Sequence, residues 1–354
     1  MNSISHLTVA LVAATVFLTL GASVGAQETG ENGDGANQAP VMDGLTGGDA
    51  PWERAYDEAM LDGRKAYNSE QREAARDAFV RAIQILPHGA AAYRNLARNY
   101  NFMGRYPEAT EFYDHYLRLA PDADDRDVIR EERRGTASRA GDEPWSPPAS
   151  QRMALRALER ELKGGRALTG EDGGAWGMYL TLLETGYVAP DLRRLQRDLK
   201  EELVEELEAY LEPRDGFLPV LSVDEWGLQG QRLDALQTLV RSEEDQRYVE
   251  RRRTLVTTVR AVVDESSSQN LEALQEAIAD NDDLPYASWY YVIALKQADQ
   301  PAEALTALDA MLDDGVFDGE ALIKAQVVRA QLHQQMGDVD EALRQFQQIL
   351  GRHR

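Results

Sequence analysis

Few residues in this chain are spaced to do chemistry. It has five histidines, His6, His88, His115, His333 and His353, and no cysteine. None of the histidines form the H-E-x-x-H pair that sets two imidazoles on one helix face around a zinc ion. Without cysteine there can be no disulfide, thiolate metal site, thiol nucleophile or lipidated cysteine near the start. The acidic run PDADDRD, 121–127, has the carboxylate density of a calcium loop. However, Asp127 stands where the tight turn needs glycine, and Arg133 where a bidentate glutamate belongs. The run reads instead as a helix start, with acids placed favourably against the helix dipole. The segment GEDGGAWG, 170–177, is rich in glycine but has no lysine and no preceding strand, so it reads as a loop rather than a phosphate cradle. These readings predict no catalytic set, no metal site, no cofactor and no enzyme activity. Carboxylates are abundant enough that a hydrolase within 151–228 stays open as a lesser reading.

Composition narrows the partners. A net charge of −23 argues against a nucleic-acid binder, which needs a basic face. With 43% hydrophobic residues in 354, the chain can build packed cores and two or three domains. Residues 1–26 read as a signal peptide. They are apolar from Leu7 to Leu20, with small residues Val24-Gly25-Ala26 before Gln27. That predicts export to the periplasm or the extracellular space, with no membrane span after cleavage. Because this segment has neither lysine nor arginine before its apolar run, and because Leu7 to Ala26 is about the ~20 residues a span needs, an uncleaved membrane anchor is the alternative. Residues 27–52 hold five acids, no base and many glycines, and read as a disordered tether.

The elements that follow are legible from periodicity. Ala75, Phe79 and Pro87 recur 34 residues later as Ala109, Tyr113 and Pro121. Between the two sets, Tyr93, Leu96, Ala97 and Tyr100 fall at i, i+3, i+4 and i+7, one face of a helix. Gly104 stops that helix and Tyr106 opens the next. The whole resembles the tetratricopeptide repeat (TPR), whose pattern is W-x2-L-G-x2-Y, then A-x3-F, then P. On this resemblance repeat one spans 56–89 with Gly63, Ala75, Phe79, Ala82 and Pro87 as its core. Repeat two spans 90–123, and a charged helix after Pro121 caps the pair, giving an N-terminal domain of 53–134. Tyr116 occupies a position that is usually small, so looser packing is expected there.

A linker rich in Gly, Ser and Pro, 135–150, leads to a middle helical region, 151–228. There Leu192, Leu195, Leu199, Leu203, Leu207 and Leu211 form one apolar stripe. Packing within the chain is favoured for this stripe over a coiled-coil partner, because the spacing is not a sustained heptad. The repeat pattern returns faintly over 229–354, in Ala304, in Ala330 with Ala342 and Phe346, and in a weaker unit around Ala261, Ala273 and Pro285. The predicted class is all-α, with TPR-type helix-turn-helix solenoid segments flanking the middle helices.

The resemblance implies a groove that binds protein or peptide segments, lined from the first helix of each unit. Here that means Asp57, Met60, Arg64, Tyr67 and Asn68, then Arg94, Arg98, Asn101 and Phe102. The arginines suit an acidic ligand, since guanidinium pairs carboxylates with two hydrogen bonds. From 261 to 323 there are fourteen acids and one base, Lys296, which suits a basic partner or docking on the arginines of the same chain. The leading expectation is an exported adaptor or scaffold of the cell envelope without catalysis. The alternatives are a self-associating envelope assembly protein and a hydrolase with a repeat arm.

Overall fold

A computed structural model describes residues 44–141, 145–168, 173–189, 191–212, 223–265 and 267–352. The expected signal peptide and most of the expected tether lie outside these residues, as do 142–144, 170–172 and 213–222. The described residues form fifteen α-helices and no strand. In order they are α1 (Pro51–Asn68), α2 (Arg72–Ile85), α3 (Ala90–Phe102), α4 (Tyr106–Leu119), α5 (Arg126–Ala140), α6 (Ala149–Lys163), α7 (Gly174–Glu184), α8 (Leu192–Leu211), α9 (Val223–Leu239), α10 (Glu243–Asp264), α11 (Ser268–Ala279), α12 (Ala287–Gln297), α13 (Pro301–Asp313), α14 (Gly319–Gln335) and α15 (Val339–Arg352). Within α1–α5 and α8–α15 each helix packs mainly on its chain neighbours, and α6 pairs with α7. The fold is all-α and built from successive helical hairpins. Among the described residues no helix is long and apolar enough to cross a membrane.

The first hairpin begins earlier than the composition suggested. Pro51 takes the first helical position, and the Glu53 carboxylate accepts the Ala50 N–H at 3.0 Å. The N–H groups of Thr46 and Gly47 donate to the Asp57 carboxylate at 2.7 and 2.9 Å. Residues 44–52 of the expected tether are therefore folded onto α1, and Asp57 is occupied by them.

Inside the hairpins the repeat positions are packed as their spacing predicts. Ala75, Phe79, Ala82, Tyr93, Leu96, Ala97, Ala109 and Tyr113 are all buried. Pro87 is buried too, and its carbonyl accepts the Tyr93 hydroxyl at 3.1 Å. Gly104 ends α3 at φ +74°, a backbone that L side chains rarely adopt. Tyr106 is only half-buried, with the Arg139 guanidinium 5.3 Å from its ring centre, and Pro121 is exposed. Tyr116 is 3% exposed and is not loosely held, because its hydroxyl donates to the Asp125 carboxylate.

His115 of α4 lies inside the second hairpin, 3% exposed and stacked on Tyr93 of α3 at 5.1 Å. Burial first, then the nearby charge of Arg118, pulls its pKa down from 6.5 to about 4. The folded state therefore resists a proton that the unfolded chain accepts. Stability is full above pH 6.5, falls as pH drops, and levels off near pH 4. The loss reaches ~3 kcal/mol at most. Urea titrations from pH 7 to 4 should show this slope flattened in His115→Phe. An equal slope in both proteins would refute it.

Both ends of the segment read as a linker are helical. α5 continues to Ala140 because Thr136 is fully buried and donates to the Glu132 carbonyl at 2.8 Å. α6 begins at Ala149. α7 begins at Gly174, inside the segment read as a loop at 170–177.

The leucine stripe of α8 is consumed within the chain, since all six leucines are fully buried. The stripe is therefore not exposed to serve as a self-association seam. The boundary expected at 228/229 falls inside α9, where Trp226, Leu233 and Leu236 are buried together. One apolar cluster runs from Tyr56 to Leu332. Polar contacts stitch the second hairpin helix to the middle. Gln84 Nε2 donates to the Leu183 carbonyl, Gln196 Nε2 to the Gln84 carbonyl, both at 2.9 Å, and Arg241 Nε to the Ile85 carbonyl at 3.0 Å.

In the C-terminal half, Ala304, Ala330 and Ala342 are buried as expected, but Phe346 is only half-buried. Ala261 and Ala273 are half-buried and Pro285 is exposed. Val259 and Val262 carry the core of α10, and Leu271, Leu274 and Ala277 that of α11. A lone alanine spacing is a weak marker where larger apolar neighbours compete for the interior.

Candidate protein-binding face

The expected groove residues lie on α1 and α3, and α5 packs next along the chain. The structure assigns two of the three arginines to the fold itself. Arg94 is 3% exposed, and its Nη1 donates to Asp125 Oδ2 at 2.6 Å. Tyr116 completes this group through its hydroxyl, with the Arg94 guanidinium 5.5 Å from its ring centre. Desolvation works against the charged form of Asp125, but the hydrogen bonds from Tyr116 and Arg94 outweigh it and hold the carboxyl below its usual range.

Arg98 meets Glu132 in a two-bond fork, Nε to Oε2 at 2.9 Å and Nη2 to Oε1 at 2.7 Å. The Tyr113 hydroxyl donates to the same Oε2 at 3.0 Å. Burial costs Arg98 some of its basicity, yet Glu132 raises it on balance. The charges expected to clamp an acidic ligand are thus clamped already, by Glu132 of α5 and by Asp125 just before it, and not by the acidic C-terminal helices. Asn101 is similarly engaged, its Oδ1 lying 3.3 Å from the Thr136 hydroxyl. Met60 is fully buried and cannot line a groove.

What remains toward solvent on this face is aromatic. Phe102 is 57% exposed and meets Tyr67 edge-on, with ring centres 5.6 Å apart. Arg72 spans both rings, at 4.7 Å from the centre of Tyr67 and 5.0 Å from that of Phe102. Its Nη1 donates to the Tyr67 carbonyl at 2.8 Å, which fixes the guanidinium over the pair. Asn68 is exposed beside them and Arg64 is half-buried on α1. An exposed phenylalanine held by an edge contact and a stacked cation forms a rigid apolar ledge that loses little freedom on meeting a ligand side chain.

The sequence marks Tyr67 and Phe102 as groove residues and Asp125 as part of an acidic run, but not Arg72, Glu132 and Thr136. A signal for three of these pairings was present. Arg98 and Glu132 are 34 residues apart, and Tyr67 and Phe102 are 35 apart, as are Asn101 and Thr136. Each pair joins α1 to α3 or α3 to α5, alternate helices of the chain.

The C-terminal acids are only partly spoken for. Arg252, 1% exposed, donates to both oxygens of Asp283 at 3.0 and 2.7 Å, and Arg329 lies 2.7 Å from Asp309. The Arg252 hydrogen bonds hold the Asp283 carboxyl below its usual range. Among the described residues, no group of three or more His, Asp or Glu is placed to hold a metal ion.

Fold and face together define an all-α protein of successive helical hairpins with one exposed aromatic ledge on its first helices. Set against models of known protein families and against curated proteins, the chain matches none.

Proposed function

We propose that the chain is a TPR-like adaptor that binds segments of other proteins through the ledge of Tyr67, Arg72 and Phe102. The observation that carries this is Phe102, a phenylalanine 57% exposed on a hairpin whose other aromatics are mostly buried. The hairpin order and the 34-residue spacing of Ala, aromatic and Pro support the family likeness. On this reading the ligand supplies an apolar side chain to the ledge, and the acidic surface of the C-terminal helices steers basic flanks. The chain performs no chemistry of its own. The apolar start of the sequence supports placing it outside the cytoplasm, in the cell envelope.

The test is to pan a displayed random-peptide library on the full chain and on Phe102→Ala. Enriched peptides should lose at least tenfold in binding to Phe102→Ala. They should bind Met153→Ala unchanged, because Met153 is a 72%-exposed control on α6. Peptides that bind Phe102→Ala as well as wild type would refute the ledge as the ligand site, and so would no enrichment on wild type.

A further inference from the structure

A second exposed apolar feature lies far along the chain from the ledge and is independent of it. On α15, Val339 is 61% exposed, Leu343 55% and Leu350 68%, with Phe346 half-buried among them. Met336, 39% exposed, precedes the helix. The stripe 339, 343, 346, 350 has the four-three-four spacing of a coiled-coil seam. The face that packs toward α14 is a different one, carrying Ala342 and Gln345 at 3% and 8% exposure. Among the described residues, the other exposed large apolar ones, Leu61, Phe102, Val128 and Met153, are scattered over four helices.

We propose that this seam is where two copies of the chain meet, α15 lying antiparallel to α15 of the second copy across a twofold axis. Two observations select a second copy. The first is that the spacing reads the same in both directions. A twofold between Leu343 and Phe346 sets each Leu343 against the other copy's Phe346, and each Val339 against the other copy's Leu350. A larger side chain thus meets a smaller one at every layer.

The second is charge. The start of the helix carries Asp338, Asp340 and Glu341, and the basic residues Arg344 and Arg352 follow along it. Antiparallel pairing lays the acidic end of one helix along the basic end of the other, whereas parallel pairing would set like against like. In a chain of net charge −23, whose copies repel one another overall, this segment is complementary to itself. One short helix from each copy buries less than the ~1,200 Å² of a standard interface, so the dimer should be reversible and concentration-dependent.

Sedimentation of the full chain across a dilution series tests this. Wild type should shift from one mass to twice that mass as concentration rises. Leu343→Lys, a change at a solvent-exposed position, should stay at the single mass with an unchanged helical spectrum. Because the chain has no cysteine, single introduced thiols report the geometry. Leu343→Cys, on the seam beside the axis, should oxidise to a covalent dimer, and Val339→Cys, at the far end, should not. A wild type that stays monomeric throughout would overturn the proposal, as would a Leu343→Lys dimer like wild type or equal cross-linking at 339 and 343. If Leu343→Lys does not fold, the two cysteine variants decide alone.

Discussion

Replacing Glu206 with alanine is expected to destabilise the chain by about 3–5 kcal/mol, although Glu206 belongs to no repeat motif. Its carboxylate, 11% exposed on α8, pairs with Arg232 of α9, 7% exposed, at 2.9 Å. The same group accepts the backbone N–H of Ala167 at 2.7 Å and lies 3.4 Å from that of Leu168. Those residues are tied in turn to the start of α7, through Ala175 N–H to the Arg166 carbonyl and Trp176 N–H to the Ala167 carbonyl, both at 2.8 Å. One side chain therefore joins two helices and the loop leading to a third. Alanine would leave a buried guanidinium without its carboxylate and a buried amide without an acceptor.

Glu206→Gln keeps an acceptor and should lose less. Replacing Glu206 and Arg232 together with methionine removes the stranded charge but not the stranded amides, so a loss of about 1–3 kcal/mol should remain. Urea midpoints, with hydrogen exchange at the Ala167 amide, report these steps. A Glu206→Ala midpoint close to wild type, with Ala167 still protected, would show that the pair contributes nothing net.

The second large effect concerns Gly63 and Phe79. Gly63 sits inside α1, where glycine weakens a helix, and its reason is space. A Cβ placed on it would lie 2.4, 2.6 and 2.9 Å from three carbons of the Phe79 ring. The ring cannot retreat, since Ala75, Ala82 and Ile83 around it are fully buried. Phe79→Ala should cost about 3–5 kcal/mol through the cavity it leaves. Gly63→Ala should cost about 1–3 kcal/mol through overpacking. The diagnostic variant is Gly63→Ala with Phe79→Leu, in which the smaller side chain yields room to the new methyl. Its loss should be smaller than the sum of the two single losses by about 1 kcal/mol. Strict additivity would mean that close approach is not what requires glycine at 63.

The parts of the fold that were legible share a cause. Helix periodicity is local, so Tyr93, Leu96, Ala97 and Tyr100 mark a buried face from spacing alone. The same argument placed the six leucines of α8 in the interior. It was weaker where the marker was a small residue. Ala261 and Ala273 looked like repeat alanines, yet the valines and leucines of α10 and α11 outcompete them for the core, because burying a larger side chain gains more. The linker reading failed at Thr136 for a related reason. Gly and Ser nearby suggest a break, but a hydroxyl bonded to the Glu132 carbonyl and packed against α3 keeps the helix going.

The candidate face was legible in position but not in chemistry. Arg94 and Arg98 were correctly placed on α3, and which groups face them depends on α5, more than twenty residues further on. A charged side chain announces only that it needs a partner. Whether that partner is a ligand or a neighbouring helix is set by packing between segments distant in sequence.

By itself the amino-acid sequence determined an all-α chain of helical hairpins, the apolar face of most of its helices, and the absence of any thiol chemistry. These follow from residue type and from spacings within one or two helical turns. Only the tertiary structure decided that two groove arginines are spent on Asp125 and Glu132, that Phe102 is left in solvent, and that the free apolar seam lies on α15 and not on the leucine helix. Burial is a property of what lies across the interface, and no local spacing encodes that.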